Sequence, residues 1–222
     1  LDTVCLLFDW WKEAVPPLPD KPLLVFVSHR HEDHFNPEVF TLASRRADVQ
    51  FLLGSDLRLT PHNLEKWRLS PEAAAKCRRC GKHDVFEPLP GITVETFPST
   101  DEGVAWMVAA EGRSIFHAGD LNWWHWAEED DAWNRNMAAN FKRYTEPLRG
   151  RRADLAMLPL DPRLGEAGYL GPQYFLELMD VRHFLPMHQW DDFDFTAAFL
   201  RDCPQFAPIT AKIHHNLETF LF

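Results

Sequence analysis

The segment His29-Arg30-His31-Glu32-Asp33-His34 gathers three imidazoles and two carboxylates into six consecutive positions. Imidazole nitrogen and carboxylate oxygen are the donors that Zn²⁺ takes, and that Fe and Mn take as well. A single His is ordinarily a solvated or internally satisfied residue. Four candidate ligands so close together, His29, His31, Asp33 and His34, point instead to a metal site. The preceding run Pro22-Leu23-Leu24-Val25-Phe26-Val27 is short and apolar with β-branched members, which reads as a buried strand. The cluster then occupies the loop leaving that strand. A loop can curl all four side chains inward, whereas a continuing strand would alternate them between faces.

If one loop supplies several donors, the remainder must come from the ends of other strands. Ser114-Ile115-Phe116-His117-Ala118-Gly119-Asp120 is an apolar strand followed by small residues and a carboxylate, with Gly119 free to make the turn that aims Asp120 inward. His183-Phe184-Leu185-Pro186-Met187-His188 is another short strand ending in His. Taken alone, Asp120 reads equally as a turn or capping residue and His188 as a core or capping His. Together with the first cluster, both become candidate ligands.

The elements that must position these groups follow from periodicity. Strands are expected over 4–8, 23–27, 49–53, 92–97, 104–110, 114–117, 155–160, 183–186, 209–213 and 217–221. Helices are expected from 37 towards 47 behind Asn36 and Pro37, over 71–79 behind Ser70, and over 127–148, 171–181 and 195–202. Residues 104–110 and 114–117 form a hairpin across Glu111-Gly112-Arg113. Alternating strands and helices imply an α/β chain with mixed sheets and helices outside, read as one domain over 1–222.

With 222 residues the chain can bury a sizeable core, and a net charge of −10 argues against a nucleic-acid backbone as partner. A small anionic substrate is still compatible, since a bound cation reverses the local field. No run is long and apolar enough to cross a bilayer, so no membrane partner is expected. The chain begins at Leu1, so the absence of a signal peptide carries little weight. Cys5, Cys77, Cys80 and Cys203 are too scattered for a disulfide framework, and a cytoplasmic location is the expectation. Cys77-Arg78-Arg79-Cys80 has knuckle spacing, with His83 nearby, but lacks the second pair a closed zinc site needs, so ordinary thiols are the expectation.

Trp123, Trp124 and Trp126 follow Asp120 directly, with His125 between them and Trp133 beyond. They fit a wall over a substrate pocket, a packing cluster, or a contact in a homo-oligomer. Asp161 and Arg163 follow another strand end, where Arg163 is a candidate anion clamp or a salt-bridge partner of Asp161. Trp10 and Trp11 read as packing near the sheet edge.

The order H-x-H-x-D-H after a strand, strand-Gly-Asp, then strand-His resembles the metallo-β-lactamase-fold hydrolases. The closer resemblance is to the branch containing ascorbate-6-phosphate lactonase, carried by Phe116-His117-Ala118-Gly119-Asp120. It covers nearly the whole chain and implies an αββα sandwich: two mixed sheets face to face, helices outside, metals at one edge, and an opening strand or two ahead of Leu1. By that resemblance His29 and His31 hold a first metal, Asp33, His34 and His188 a second, and Asp120 bridges them. The family's further His, about twenty residues before the bridging Asp, is absent; Pro98-Ser99-Thr100-Asp101-Glu102-Gly103 stands there, with Asp101, or less readily Glu102, as substitute. One or two Zn²⁺ ions are expected, with Mn and Fe as alternatives.

No obvious Ser or Cys nucleophile accompanies these ligands, so metal-activated water is the economical mechanism, its pKa lowered from about 15.7 to roughly 7. Asp33 and Asp120 are the expected catalytic residues: Asp33 orients the water and accepts its proton, and Asp120 positions it. His117 and His183 are read as supporting groups. Trp123, Trp124, His125, Asp161 and Arg163 are the expected substrate-binding residues. The expected function is hydrolysis of an ester, lactone or phosphoester of a small molecule. An iron-bearing oxidoreductase and a metal-binding protein with little turnover are the alternatives.

Overall fold

The computed structural model describes residues 1–15 and 17–222. The chain opens with β1 (Cys5–Phe8), beside which β2 (Leu23–Val27) lies in parallel, Phe8 opposite Phe26. β3 (Val49–Gly54) and β4 (Cys77–Cys80) extend this sheet, again in parallel. Its order is β1-β2-β3-β4. Strands buried on both faces read as unbroken apolar runs, and β2 is buried at every position.

The second sheet begins as a meander of β5 (Val85–Leu89), β6 (Ile92–Pro98), β7 (Val104–Ala110) and β8 (Arg113–His117). The chain continues through β9 (Arg152–Ala153), β10 (Leu155–Pro159), β11 (Asp180–Val181) and β12 (Phe184–Met187). β10 pairs in parallel with both β8 and β12, giving the order β12-β10-β8-β7-β6-β5, while β9 and β11 form a small pair of their own.

Alternation decides which core each side chain enters. Leu24 and Phe26 of β2 join Leu52, Cys80, Val94, Val104, Trp106 and Val108 between the two sheets. Leu23, Val25 and Val27 face outward onto Val39, Phe40, Leu42 and Ala73, carried by a 3₁₀ turn (Pro37–Thr41), α1 (Leu42–Arg45) and α3 (Pro71–Ala74), with α2 (Pro61–Lys66) lying between these in sequence. On the far side, Phe116 of β8 packs with Phe141 of α4 (Asp131–Thr145), Phe175 of α5 (Leu170–Leu178) and Phe199 of α6 (Asp194–Asp202). The layers are therefore helix, sheet, sheet, helix. α4 starts where Asp130 accepts a hydrogen bond from the Trp133 amide, with Lys142 and Arg143 at its other end, as the helix dipole favours. No helix among the described residues is long and apolar enough to cross a membrane.

Four expectations are corrected. The first sheet is wholly parallel among the described residues, not mixed. Helix α3 stops at Ala74, and Cys77–Cys80 is a strand instead. In a strand, positions three apart face opposite ways. Cys77 packs on the helical side and Cys80 between the sheets, which agrees with the expectation of two ordinary thiols. Finally, residues 209–213 contribute only a single bridge, Thr210 to Phe184, and 217–221 contain no strand.

Candidate metal centre

β1 and β2 run in parallel, as do β8, β10 and β12, and the residues that follow their carboxyl ends converge: Asp9, Ser28 to His34, Asp120, Asp161 and His188. Open α/β sheets place their binding sites at that edge. Gly119 sits at φ 51°, a left-handed conformation, and a Cβ there would lie 2.7 Å from the Ser28 Cβ. Gly103, also left-handed, backs onto the Ser28 carbonyl so closely that a Cβ has no room. These two glycines let the second sheet press against the histidine loop of the first.

Asp120 is the centre of the arrangement. His29 Nε2 stands 3.2 Å from its Oδ2, and His34 Nε2 and His188 Nε2 each stand 3.0 Å from its Oδ1. The latter two nitrogens are 3.0 Å apart, and His29 Nε2 is 3.0 Å from His31 Nδ1. Donor atoms of His29, His31 and Asp120 form one tight group and those of Asp33, His34 and His188 a second. Asp33 Oδ2 reaches to 3.7 Å from His34 Nε2.

These groups fit a cation. Donors bonded to one ion at about 2.1 Å lie about 3.0–3.4 Å from each other, the spacing seen here. Asp120 Oδ1 is buried and has no hydrogen-bond partner although two imidazole nitrogens are 3.0 Å away. Nitrogens so near an acceptor yet not aligned on it share an empty focus with it. Burial alone would raise the Asp120 carboxyl, but the imidazoles of His188, His29 and His34 hold it well below the usual carboxylate range. Burial likewise disfavours a charged His34, yet Asp120 and Asp9 push it up to about 11. His188 is raised against burial by Asp120 and Asp161. The carboxylates here demand positive charge, which protons or a divalent cation can supply.

Each buried imidazole is held from behind, the arrangement that fixes tautomer and orientation in metal sites. Asp9 Oδ2 lies 2.7 Å from His34 Nδ1, leaving Nε2 for the centre. Asp9 also accepts from the Ser28 amide at 2.7 Å and the Ser28 hydroxyl at 2.6 Å. Burial opposes ionisation of Asp9, but His117, His34 and Ser28 outweigh it and hold its carboxyl at about 2. Ser28 Oγ is 2.9 Å from His29 Nδ1. Asp161 Oδ2 is 3.5 Å from His188 Nδ1, an ion-pair distance without an aligned hydrogen bond. His117 is stacked on Phe8 and accepts the Gly119 amide on Nδ1, and burial lowers it to about 4, so it stays neutral. His183 sits at the opposite end of β12, against Phe222, away from the centre.

Where the further His is missing, Asp101 Oδ2 stands 3.7 Å from His31 Nδ1, outside the three-donor group. Burial and the nearby Asp120 charge raise its pKa. Glu102 is taken by a two-pronged ion pair with Arg30, 2.8 Å at each contact.

A cavity of about 530 Å³ opens over the centre, lined in part by His31, Asp33, Asp101, Asp120, His188, Trp124 and Arg163. Three expected substrate contacts are corrected. Trp123 turns into the core, 6.2 Å from the rings of both Phe141 and Tyr174, because neighbours along extended chain face opposite ways. His125 is exposed and does not line the cavity. Asp161 is fully buried beneath the wall, where Arg163 grips it through Nε and Nη2, so it contacts His188 and not the open space. Sequence reasoning missed Asp9 and Ser28 as supports. Asp9 carries the signature that found Asp120, a carboxylate directly after an apolar strand. It also missed Trp190, and read Trp11 as packing; both line the cavity.

No family model matches this chain, and no curated protein matches it in sequence. Among solved structures, CmlA, a diiron β-hydroxylase from Streptomyces venezuelae, aligns with a TM-score of 0.56 at 10% identity, covering 94% of this chain and 49% of that one. Zn²⁺-bound PqqB from Methylobacterium extorquens aligns at 0.47 and 18% identity, covering 94% of this chain and 75% of PqqB. YhfI, a metallo-β-lactamase fold protein from Bacillus subtilis, aligns at 0.45 and 12% identity, covering 74% of this chain and 63% of that one. The chain thus spans about half the length of the structure matched first. Two facing sheets flanked by helices, with His and Asp side chains gathered at one edge, form an αββα sandwich, the fold this chain shares with CmlA.

Proposed function

We propose that this chain is a metal-dependent hydrolase of a small-molecule ester, lactone or phosphoester, the broad class to which the lactonase branch it resembles also belongs. His29, His31 and Asp120 would hold one divalent cation, with Asp101 the nearest further oxygen, and Asp33, His34, His188 and the other Asp120 oxygen a second. The observation that carries the reading is Asp120 itself: a buried carboxylate offering one oxygen to each of two three-donor groups at the floor of an open cavity. When bound, Zn²⁺ or a similar ion supplies Lewis acidity and lowers the pKa of water towards neutrality.

The protein's own groups do the rest. Asp33 is half-buried and lines the cavity, placed to orient an attacking water and take its proton. Asp9, Ser28 and Asp161 keep His34, His29 and His188 aimed inward, and the tryptophan-rich walls limit bulk water near the reacting bond. The test is metal content of the purified protein together with turnover on neutral esters, lactones and phosphoesters. The reading expects bound zinc or manganese, chelator-sensitive hydrolysis, and a 10²–10⁴-fold loss of kcat (about what a proton-transfer group contributes) in Asp33→Asn. Metal without turnover on any of these substrates overturns it.

A second reading is supported by the donor set, which is imidazole and carboxylate with no thiolate and so suits iron too. CmlA, which shares the fold, is a diiron hydroxylase. Iron with a visible absorbance band would replace the hydrolase reading with an oxidoreductase.

A further inference from the structure

The cavity wall is unusually aromatic. Nine tryptophans occur in the chain, and five of them line this one space: Trp124, Trp126 and Trp133 from one stretch, Trp11 and Trp190 from distant ones. Trp124 is anchored by its Nε1 donating to the Asp120 carbonyl at 3.0 Å, and Trp126 stacks parallel to it, 6.1 Å between centroids and 5° between planes. Trp190 stands at the rim with 44% of its surface exposed. A large indole surface left open to water is unfavourable by about 25 cal/mol per Å², so a wall of them marks a place where apolar surface gets covered.

The charges lining the same cavity narrow what covers it. Glu32, Asp33, Asp101 and Asp120 are acidic, and besides the imidazoles of His31 and His188 at the metal centre Arg163 is the one basic side chain among the described lining residues. Its guanidinium is not free. It grips the buried Asp161 carboxylate and lies against the Trp190 ring at 4.3 Å and the Trp126 ring at 5.6 Å. An anionic group set away from the metal centre would therefore meet carboxylates and no unpaired cation. A flat, uncharged group would meet indole faces.

We propose that this cavity is an aromatic-recognition subsite, which binds the neutral planar part of the substrate, a bicyclic arene or its equivalent in size, beside the bond to be cleaved. The substrate class is then an ester or lactone whose aryl part, set away from the metal centre, carries no charge. This deepens the hydrolase reading and rests on it for the word substrate, although binding itself can be measured without turnover.

The test is isothermal titration calorimetry of the metal-loaded protein with 2-naphthylacetamide, an uncharged and unreactive probe, against cyclohexylacetamide of similar polarity. The naphthyl probe should bind at least tenfold more tightly. Trp126→Ala and Trp133→Ala should each weaken it about five- to tenfold without altering metal content, and Trp133→Phe should restore most of the loss. Equal affinity for the two amides overturns the proposal and needs no variant to show it. Unchanged naphthyl binding in both alanine variants overturns it as well. Naphthyl binding with no ester turnover upholds the subsite and removes the hydrolase. Turnover of small aliphatic or phosphate esters without naphthyl binding does the reverse.

Discussion

Asp9→Asn isolates the role of a residue that touches no open space. In the native protein the Asp9 carboxylate accepts three contacts: the Ser28 amide at 2.7 Å, the Ser28 hydroxyl at 2.6 Å and His34 Nδ1 at 2.7 Å. Asparagine has nearly the same shape. Its carbonyl oxygen can still accept from the Ser28 amide, and the Ser28 hydroxyl can rotate to accept in place of donating. His34 has no such freedom. Facing an NH₂ group, its Nδ1 must become the acceptor, which moves the ring proton to Nε2, the atom 3.0 Å from both Asp120 and His188. A cation at Nε2 leaves the proton on Nδ1, where Asp9 accepts it and an NH₂ group cannot, and removing such supporting partners weakens metal binding by about 10–100-fold. That corresponds to about 1.4–2.8 kcal/mol. The assay is competition for Zn²⁺ against a chromophoric chelator at pH 7.5, with stoichiometry checked by elemental analysis. An affinity within twofold of the parent would show that Asp9 does not set the tautomer of His34, and the derivation of the centre from its supports would fail.

The remaining predictions concern ligands, packing and pH. His188→Ala should remove one equivalent of metal and leave the group of His29, His31 and Asp120 able to bind, whereas Asp120→Ala should remove both; metal-to-protein ratios decide. Gly119→Ala forces a Cβ to 2.7 Å from Ser28 at a left-handed φ, so thermal unfolding should show a loss of about 1–3 kcal/mol. In chelated protein, His34 is raised from 6.5 to about 11, so its contribution is complete below pH 6.5 and lost as pH rises towards 11. Asp9 and Asp161 are lowered from 3.8 to about 2, so theirs is present above pH 3.8 and lost as pH falls towards 2. His117 is lowered from 6.5 to about 4, so its contribution is present above pH 6.5 and lost as pH falls towards 4. The melting temperature without metal should therefore be highest near pH 6.5, and the alkaline decline should vanish in metal-loaded protein, where the ion takes the protons' place.

What the sequence reveals of this molecule follows the range of each physical signal. Buried parallel strands announce themselves as apolar runs, so β2, β3 and β10 are legible, and so is the loop that must follow β2. β4 is not: an edge strand of Cys-Arg-Arg-Cys, with two exposed arginines, has no apolar pattern and extends from a helix-capping signal at Ser70. Residues 209–213 have β composition but pair only at Thr210, since pairing depends on a partner that sequence does not show. At the centre, donors clustered in one loop stand out, whereas Asp9 shows only a carboxylate after an apolar strand, and its supporting role depends on Ser28 and His34, nineteen and twenty-five positions away. Trp123 and Trp124 are indistinguishable as letters, and which one faces the cavity is set by the direction in which the chain leaves Asp120.

The convergence on Asp120 has a mechanical consequence. His29, His31 and His34 belong to the first sheet, and Asp120 and His188 to the second, so an ion bound among them acts as a rivet through both layers of the sandwich. Occupancy and docking of the halves become a single equilibrium. Hydrogen exchange at β2 and β8, slow in loaded protein, should quicken together once the rivet is drawn.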